Sequence, residues 1–542
     1  MAYYSKSVKM NKSWLLPILL GVILCSGCAS VKTGKSHAND ISPFSYGLSQ
    51  AKNGEERFKV LYNTHRAAVA AGVNVDYSGI KRIDLEIPQD AKSIQLTVMN
   101  DFAGVEFNVK NTQKDFYLFS YVAKSAPVTV SKQDIDRGNF RRYPQLKKGR
   151  RLLVISDDNP WVQNREGYKY GHVRKDILLL KNGKAQNKTV MPYNNTGSSP
   201  SCTFYTITEE GMTVGNITLN RSKDSSKKTY LMSVSGVEDL TLDNVTIHTP
   251  ENKGENDVAI TIKECTNVTF KDVTIDGTYS RTDHSGYGVS LNNIWNFKVR
   301  NMYGHGNFGV FGTNNVNVAS FEDSDINRFD IHCYGRDITF KNVTFRDKFN
   351  QFASVFGTIR FDNCNFIHFC PVLNGESYNA YVGYDVVMND CVFDICRGKN
   401  ILIDQGRIDG VVNVRMELSE RCIPNVSINN LTVRVPNDVP NVYLFFFRGV
   451  GAEERELGYL DNVTLTGIKF EYTDENRAPA NFHLSNLSLP ITRAVKITLE
   501  DIDVIGNATV LKKGNGRFVK NLKPVSTRSI TRERNIKAQA VE

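Results

Sequence analysis

Past Cys25 and Cys28, the chain has no Cys-x-x-Cys pair and no Cys/His cluster with zinc-ligand spacing. A structural zinc module is therefore excluded. The other eight cysteines (Cys202, Cys265, Cys333, Cys364, Cys370, Cys391, Cys396 and Cys422) are expected as buried thiols, with disulfides left open if the compartment is oxidising. The apolar run from Trp14 to Leu24 is too short to span a bilayer comfortably. No recognised nucleic-acid-binding motif is present, which argues against that class of partner. Nor is there a compact Asp/Glu cage with calcium spacing.

What is present starts with charge and length. The 542 residues exceed the usual size of a single core, so several domains or one elongated repeat body is expected. A formal charge of +10 implies attraction to something acidic: nucleic acid, an anionic lipid surface or an acidic polysaccharide. Lys6, Lys9 and Lys12 precede the apolar run, and Cys25-Ser26-Gly27-Cys28-Ala29-Ser30 follows it. This arrangement resembles an export signal ending in the lipobox of bacterial lipoproteins. The resemblance implies lipidation of Cys28, with residues 1–28 removed or modified as a signal and 29–50 serving as linker. Position −3 is Cys25 rather than the usual Leu, and Met10 offers a more compact start. The expected location is the bacterial cell envelope, held to the membrane through the lipid. No acidic residue occurs from Ala29 to Asn39, so the side of the membrane stays open.

A repeat organises the rest. Its unit is an apolar residue, a spacer, Asn or Asp, and a second apolar residue. It runs through Val214-Gly215-Asn216-Ile217, Leu242-Asp243-Asn244-Val245, Phe270-Lys271-Asp272-Val273 and Val299-Arg300-Asn301-Met302. Further copies are Phe321-Glu322-Asp323-Ser324, Phe340-Lys341-Asn342-Val343, Phe361-Asp362-Asn363-Cys364 and Met388-Asn389-Asp390-Cys391. Later ones are read at Ile428-Asn429-Asn430-Leu431, Leu460-Asp461-Asn462-Val463 and Leu499-Glu500-Asp501-Ile502. Asn and Asp tolerate a left-handed backbone and turn the chain at each copy. Coils of roughly 20 to 30 residues then stack, each strand pairing in parallel with its copy in the next coil. A β-sandwich would show a succession of Asn-Gly hairpin signals instead. The predicted fold is an all-β parallel β-helix over 211–525.

Asn53-Gly54-Glu55-Glu56 resembles a capping box, followed by Phe58, Leu61, Tyr62, His65 and Val69 at helical spacing and ending at Gly72. Such a helix would plug the open end of the solenoid, within a cap and first coils spanning 51–110. Ile83 to Pro88 and Ile94 to Val98 read as its first strands. Helix then coils resembles the opening of pectate-lyase-like right-handed β-helix proteins. Between 111 and 210 the repeat is illegible. A loop-rich insertion is expected there, with a basic cluster (Arg137, Arg141, Arg142, Lys147, Lys148, Arg150, Arg151) that would either be solvated or form a wall binding an acidic chain. The tail 526–542 is polar and expected to be disordered.

Polar chemistry gathers between 250 and 345. In Asn327-Arg328-Phe329-Asp330-Ile331-His332-Cys333, strand alternation puts Phe329, Ile331 and Cys333 inside and Arg328, Asp330 and His332 together outside. Aligning coils on the Asn/Asp positions places His305, in Gly304-His305-Gly306, over Asn327 and beside Arg328. His284, His305 and His332 would form a titratable strip, with Arg336 close behind.

Asn256-Asp257, Asp283-His284 and Gly304-His305-Gly306 partly resemble the ordered motifs of polygalacturonase-type glycoside hydrolases, which share this architecture. The Thr of their Asn-Thr-Asp motif is missing, and His284 stands where the second Asp of their pair belongs. Inverting hydrolysis needs two carboxyls, and Asp257 and Asp283 are the candidates. Polysaccharide lyases of the same fold imply a base, a carboxylate neutraliser and an acid. On that resemblance His305 or His332 is the base, Arg328 the neutraliser, Asp330 the orienting group and Tyr287 the proton donor. Asp257, Asp283, His284, Tyr287 and Arg336 would line the substrate. Calcium, the ion of pectate lyases, stays an open cofactor. The expected partner of this monomer is an acidic polysaccharide cleaved by β-elimination, with hydrolysis or simple glycan capture as alternatives.

Overall fold

The computed structural model describes residues 39–162, 172–189, 200–207, 210–249, 258–277, 287–306, 309–346, 350–353, 355–367, 371–374, 383–394, 412–415, 422–435, 441–448, 459–472, 481–485 and 496–504. Cys28, Asp257, Asp283 and His284 lie outside them. The body is a right-handed parallel β-helix. Its interior column follows the first apolar position of the repeat, coil by coil: Val214, Leu242, Phe270, Val299, Phe321, Phe340, Phe361 and Met388 are successive register partners. All are fully or almost fully buried. The coil spacing brings equivalent rings face to face, with Phe340 and Phe361 stacked at 5.2 Å and Phe345 and Phe366 at 5.1 Å.

The turns behave as the residue types require. Asn216, Asn244, Asp272, Asn301, Asp323, Asn342, Asn363, Asp390 and Asn430 all have φ between 49° and 55°. Their side chains form a ladder: Asn244 Nδ2 donates to Asn216 Oδ1 at 2.8 Å, Asn342 to Asp323 at 2.8 Å, and Asn363 to Asn342 at 2.8 Å. Two more corners repeat the device. One holds Asp239, Asn267, Asn296, Val318 and Asp337, the other Glu264, Asn293 and Asn315, all at positive φ. The copy expected at Leu460 is displaced. Ile428 pairs with Leu465, so Gly467 (φ +65°) takes the turn position, and Asn462 instead donates to Asn425 at 2.9 Å. Glycine reaches the left-handed region without an amide, so the Asn/Asp signal vanishes there while the geometry persists.

The cap is the helix Gly54–Ala71, with Asn53 Oδ1 accepting from Glu56 N at 2.8 Å and Gly72 closing it in the left-handed region. Phe58, Leu61 and Ala68 are buried beneath it. The stretch 111–210 is not chiefly loop. Phe116–Val122 belongs to the parallel sheet, and Ser125–Pro127, Arg150–Val162, His172–Lys181, Lys184–Ala185 and Ser201–Thr206 build a five-stranded antiparallel sheet. It has its own core, including Phe140, Leu146, Leu153, Ile155 and Leu178. Its pairing is antiparallel, so a search for the solenoid period cannot see it. Among the described residues, Cys202, Cys265, Cys364 and Cys391 are free and buried, and no helix is long and apolar enough to cross a membrane.

Candidate functional site

Phe329 and Ile331 face the interior as alternation requires. The opposite face is not outside, however. Arg328 is 2% exposed and Asp330 0%. Room for this burial is left one coil earlier, where two side chains are missing. A Cβ on Gly309 would come within 2.9 Å of Arg328 Cδ, and one on Gly312 within 2.7 Å of the Tyr287 ring. Arg328 and Tyr287 therefore lie flat over glycines. Arg328 Nη2 donates to Asp330 Oδ2 at 2.5 Å, and the Tyr287 hydroxyl donates to the same oxygen. The guanidinium carbon stands 6.0 Å from the Tyr287 ring centre. Backbone around the cluster is tied by Asn327 Oδ1, accepting from Val310 N at 2.9 Å, and Asn350 Oδ1, accepting from Phe329 N at 2.8 Å.

This overturns the outward reading of Arg328 and Asp330. A buried guanidinium and carboxylate are tolerable because they neutralise each other, and that mutual commitment removes Arg328 as a contact for a substrate carboxylate. The Tyr287 hydroxyl is likewise spent on Asp330 rather than offered to a leaving group. His332 breaks the alternation: Ile331 pairs with Thr313 and Cys333 with Asn314, leaving His332 as the extra residue of a bulge. Its side chain lies outside the described residues, as do Asp257, Asp283 and His284. Arg336 pairs in register with Asn317, at a different corner from His305, and its guanidinium binds Asp337 at 3.0 Å.

The chemistry the structure does assemble is centred on His305. Register places Thr246, Thr274, Tyr303, Asp325 and Thr344 in one outward column, just after the Asn/Asp ladder. Column and ladder border a solvent-open groove of about 560 Å³, with Asn244, Asp272, Asn301 and Asn342 on one side and Thr274, Tyr303 and Asp325 on the other. Tyr303 is 47% exposed, and its ring stacks on His305 at 4.4 Å. His305 Nε2 lies 3.0 Å from Asp325 Oδ1, and Arg346 grips the same carboxylate with Nε and Nη2 at 2.7–2.8 Å. Partial burial would raise the Asp325 pKa. The hydrogen bonds from His305 and Arg346 and the Arg346 charge override it, holding the carboxyl below the usual carboxylate range. An ionised Asp325 can only accept, so Nε2 carries the proton and Nδ1 keeps the lone pair in neutral His305. Asp276 and His248, both exposed, continue the His305 column on the two preceding coils.

Aligning coils on the turn residue predicts the register of His305 over Asn327, and the structure has it: Gly304 pairs with Ile326. The same alignment holds Tyr303, Asp325 and Arg346, which no motif marks. Tyr303 and Asp325 are each two residues past their ladder position, and Arg346 is four past Asn342.

No protein-family model matches the chain, and no curated protein matches it. Among solved structures it is similar to the tailspike of Pseudomonas phage phi297 (12% identity, 85% of this chain and 84% of that one, TM-score 0.45). It is also similar to the tailspike of Acinetobacter baumannii bacteriophage AP22, solved with capsular saccharide (10% identity, 84% and 79%, TM-score 0.46). A third is the A-module of a mannuronan C-5 epimerase from Azotobacter vinelandii (12% identity, 91% and 100%, TM-score 0.33). None of these scores reaches 0.5, and the fold rests on the strand pairing of the chain itself.

Proposed function

We propose that this chain is a carbohydrate-active enzyme that seats an acidic polysaccharide against Tyr303 and cleaves it by β-elimination at His305. The observation that carries this reading is the Tyr303–His305–Asp325–Arg346 constellation, whose Tyr303 and Asp325 line a solvent-open polar groove while His305 and Arg346 bind to them from beside it. An exposed tyrosine offers a flat apolar face to a sugar ring, and the ladder amides and carboxylates offer partners to its hydroxyls. His305, oriented by an ionised carboxylate, is held in the tautomer a general base requires. In the proposed step Nδ1 takes the proton beside the uronate carboxylate, the electron pair forms the ring double bond, and the glycosidic C–O bond breaks. The leaving oxygen takes a proton from water or from the imidazolium. Arg346 is bound to Asp325, but its side chain is 38% exposed where that of Arg328 is 2%, so its charge rather than that of Arg328 would face a substrate carboxylate. Asp325, held ionised, is ill-suited to protonate a leaving group, which weighs against assigning it the acid role of a hydrolase.

Among the described residues no group of three or more His, Cys, Asp or Glu side chains could hold a metal ion. We also propose that the chain is lipid-anchored through Cys28 at the cell envelope, a reading supported by the apolar run Trp14 to Leu24 and the lipobox-like Cys25-Ser26-Gly27-Cys28 after it. The test incubates the purified protein with a panel of uronic-acid polysaccharides, with and without chelator. New ultraviolet absorbance, lost in His305→Ala with an unchanged circular dichroism spectrum, is the expected result. Saturated new ends would make it a hydrolase. Binding without new ends would make it a glycan-capturing protein, a reading the Tyr303 platform alone would satisfy.

A further inference from the structure

The charge of this protein is concentrated in one place. Residues 125–206, the antiparallel unit, hold fifteen Lys and Arg against six Asp and Glu, a surplus of nine. The whole chain carries +10, so everything outside that unit sums to +1. The fold then gathers part of this charge on one surface. The turn joining His172–Lys181 to Lys184–Ala185 is clamped from both sides: Phe140 N donates to Gly183 O at 2.7 Å, and Asn182 N donates to Gly149 O at 2.9 Å. Arg141 lies directly against Gly183, whose Cβ would meet it at 3.1 Å. Arg137 and Arg141 thus arrive on one flank, Lys147 and Lys148 on the other, with Lys181 and Lys184 between. All six are exposed; among the described residues none forms a direct salt bridge, although Lys181 lies within electrostatic reach of Glu238. The ion pairs formed by the described residues of this unit use other cations, Arg142 with Asp134 and Arg150 with Glu238.

Like charges crowded on a surface repel one another, and the apolar core beneath would be served equally by neutral polar residues. We infer that this unit is an anion-holding module, distinct from the His305 groove, that retains an acidic polysaccharide. The identity of the polymer rests on the groove reading; the anion binding does not. Two observations favour a polysaccharide over a membrane. The exposed large apolar side chains of the described residues are Phe44, Tyr46, Met99, Val122 and Tyr303, none of them in the unit, whereas interfacial helices and anchors insert such groups. The strand Tyr287–Gly306 also connects the two places. Its Trp295 packs on the Leu152–Ile177 cluster of the unit, its Tyr303 borders the groove, and exposed Lys298 and Arg300 lie between them. Eight residues separate the ends, at most roughly 26 Å of strand. Lys298 and Arg300 thus offer an acidic chain two cations on the strand that runs from the groove to the base of the module.

The experiment uses the full chain and soluble polygalacturonate or alginate in affinity electrophoresis and titration at several salt concentrations. Arg141→Ser/Lys147→Ser/Lys148→Ser/Lys181→Ser should weaken binding at least tenfold at low salt and flatten its salt dependence. Tyr303→Ala should keep the salt-dependent component. Wild-type affinity and salt slope in the quadruple variant would overturn the inference, as would wild-type preference for phosphatidylglycerol vesicles or duplex DNA over both polysaccharides. Failure of the groove reading is separate: it would show as salt-dependent binding with no new chain ends.

Discussion

Val318 occupies a left-handed turn (φ 59°) that other coils fill with Asn267, Asn296 and Asp337. A β-branched residue there pays a steric cost that Asn avoids, and Asn296 Nδ2 already donates down the same column to Asn267 Oδ1 at 2.7 Å. Val318→Asn should relieve the strain and add a rung, raising stability by about 1 kcal/mol, read as a higher denaturant midpoint with unchanged slope. At the groove, Asp325→Asn should lower turnover at least about 100-fold, because a neutral amide no longer orients His305 or stabilises its protonated form. Tyr303→Ala should raise KM more than it lowers kcat, since a stacking platform serves ground and transition states alike. Single residues were also where reading by alternation failed. Period two assigns two faces and so puts Arg328 and Asp330 outside; the strand cannot show that Gly309 and Gly312 on the neighbouring coil leave room for Arg328 and Tyr287 to lie flat.

At the scale of elements, parallel stacking makes each interior position a contact with copies above and below. Val343 is 0% exposed, while Lys341 on the same strand is exposed. Val343→Asp should cost several kcal/mol and Lys341→Asp little, compared by chemical denaturation. The capping helix holds a different liability. His65 is buried, with Nδ1 donating to Gln95 O at 3.0 Å and Nε2 accepting from the Tyr77 hydroxyl at 2.8 Å. Burial pushes its pKa down from 6.5 to about 4, against the smaller opposing effect of the Gln95 hydrogen bond. The unfolded chain therefore takes up the proton first as pH falls. Stability from this group is complete above about pH 6.5 and is lost progressively down to about pH 4. Between pH 7 and 5 the loss is about 2 kcal/mol, and His65→Gln should remove that dependence in paired denaturation curves. The helix and its caps were legible because their signals are local, Asn53 and Gly72 marking the ends.

For the whole molecule, the proposed lipid anchor has a direct test. Cys28→Ser should shift the protein from the membrane to the soluble fraction, and unchanged membrane association would refute lipidation at that residue. The division between what sequence alone determined and what needed the tertiary structure follows from the range of the forces involved. The solenoid, its turn residues, its interior column and its capping helix were written in the chain, because each coil restates the same local demand: alternate, turn at Asn or Asp, alternate again. The copy at Gly467 escaped because glycine meets that demand without carrying its mark. The antiparallel sheet escaped because its strands find partners inside 125–206 rather than one period away. The site needed tertiary structure throughout. His305, Asp325 and Arg346 come from three coils, and whether a charged side chain meets solvent or a neighbour is decided by the residues packed across from it. Register could be counted along the chain; burial could not.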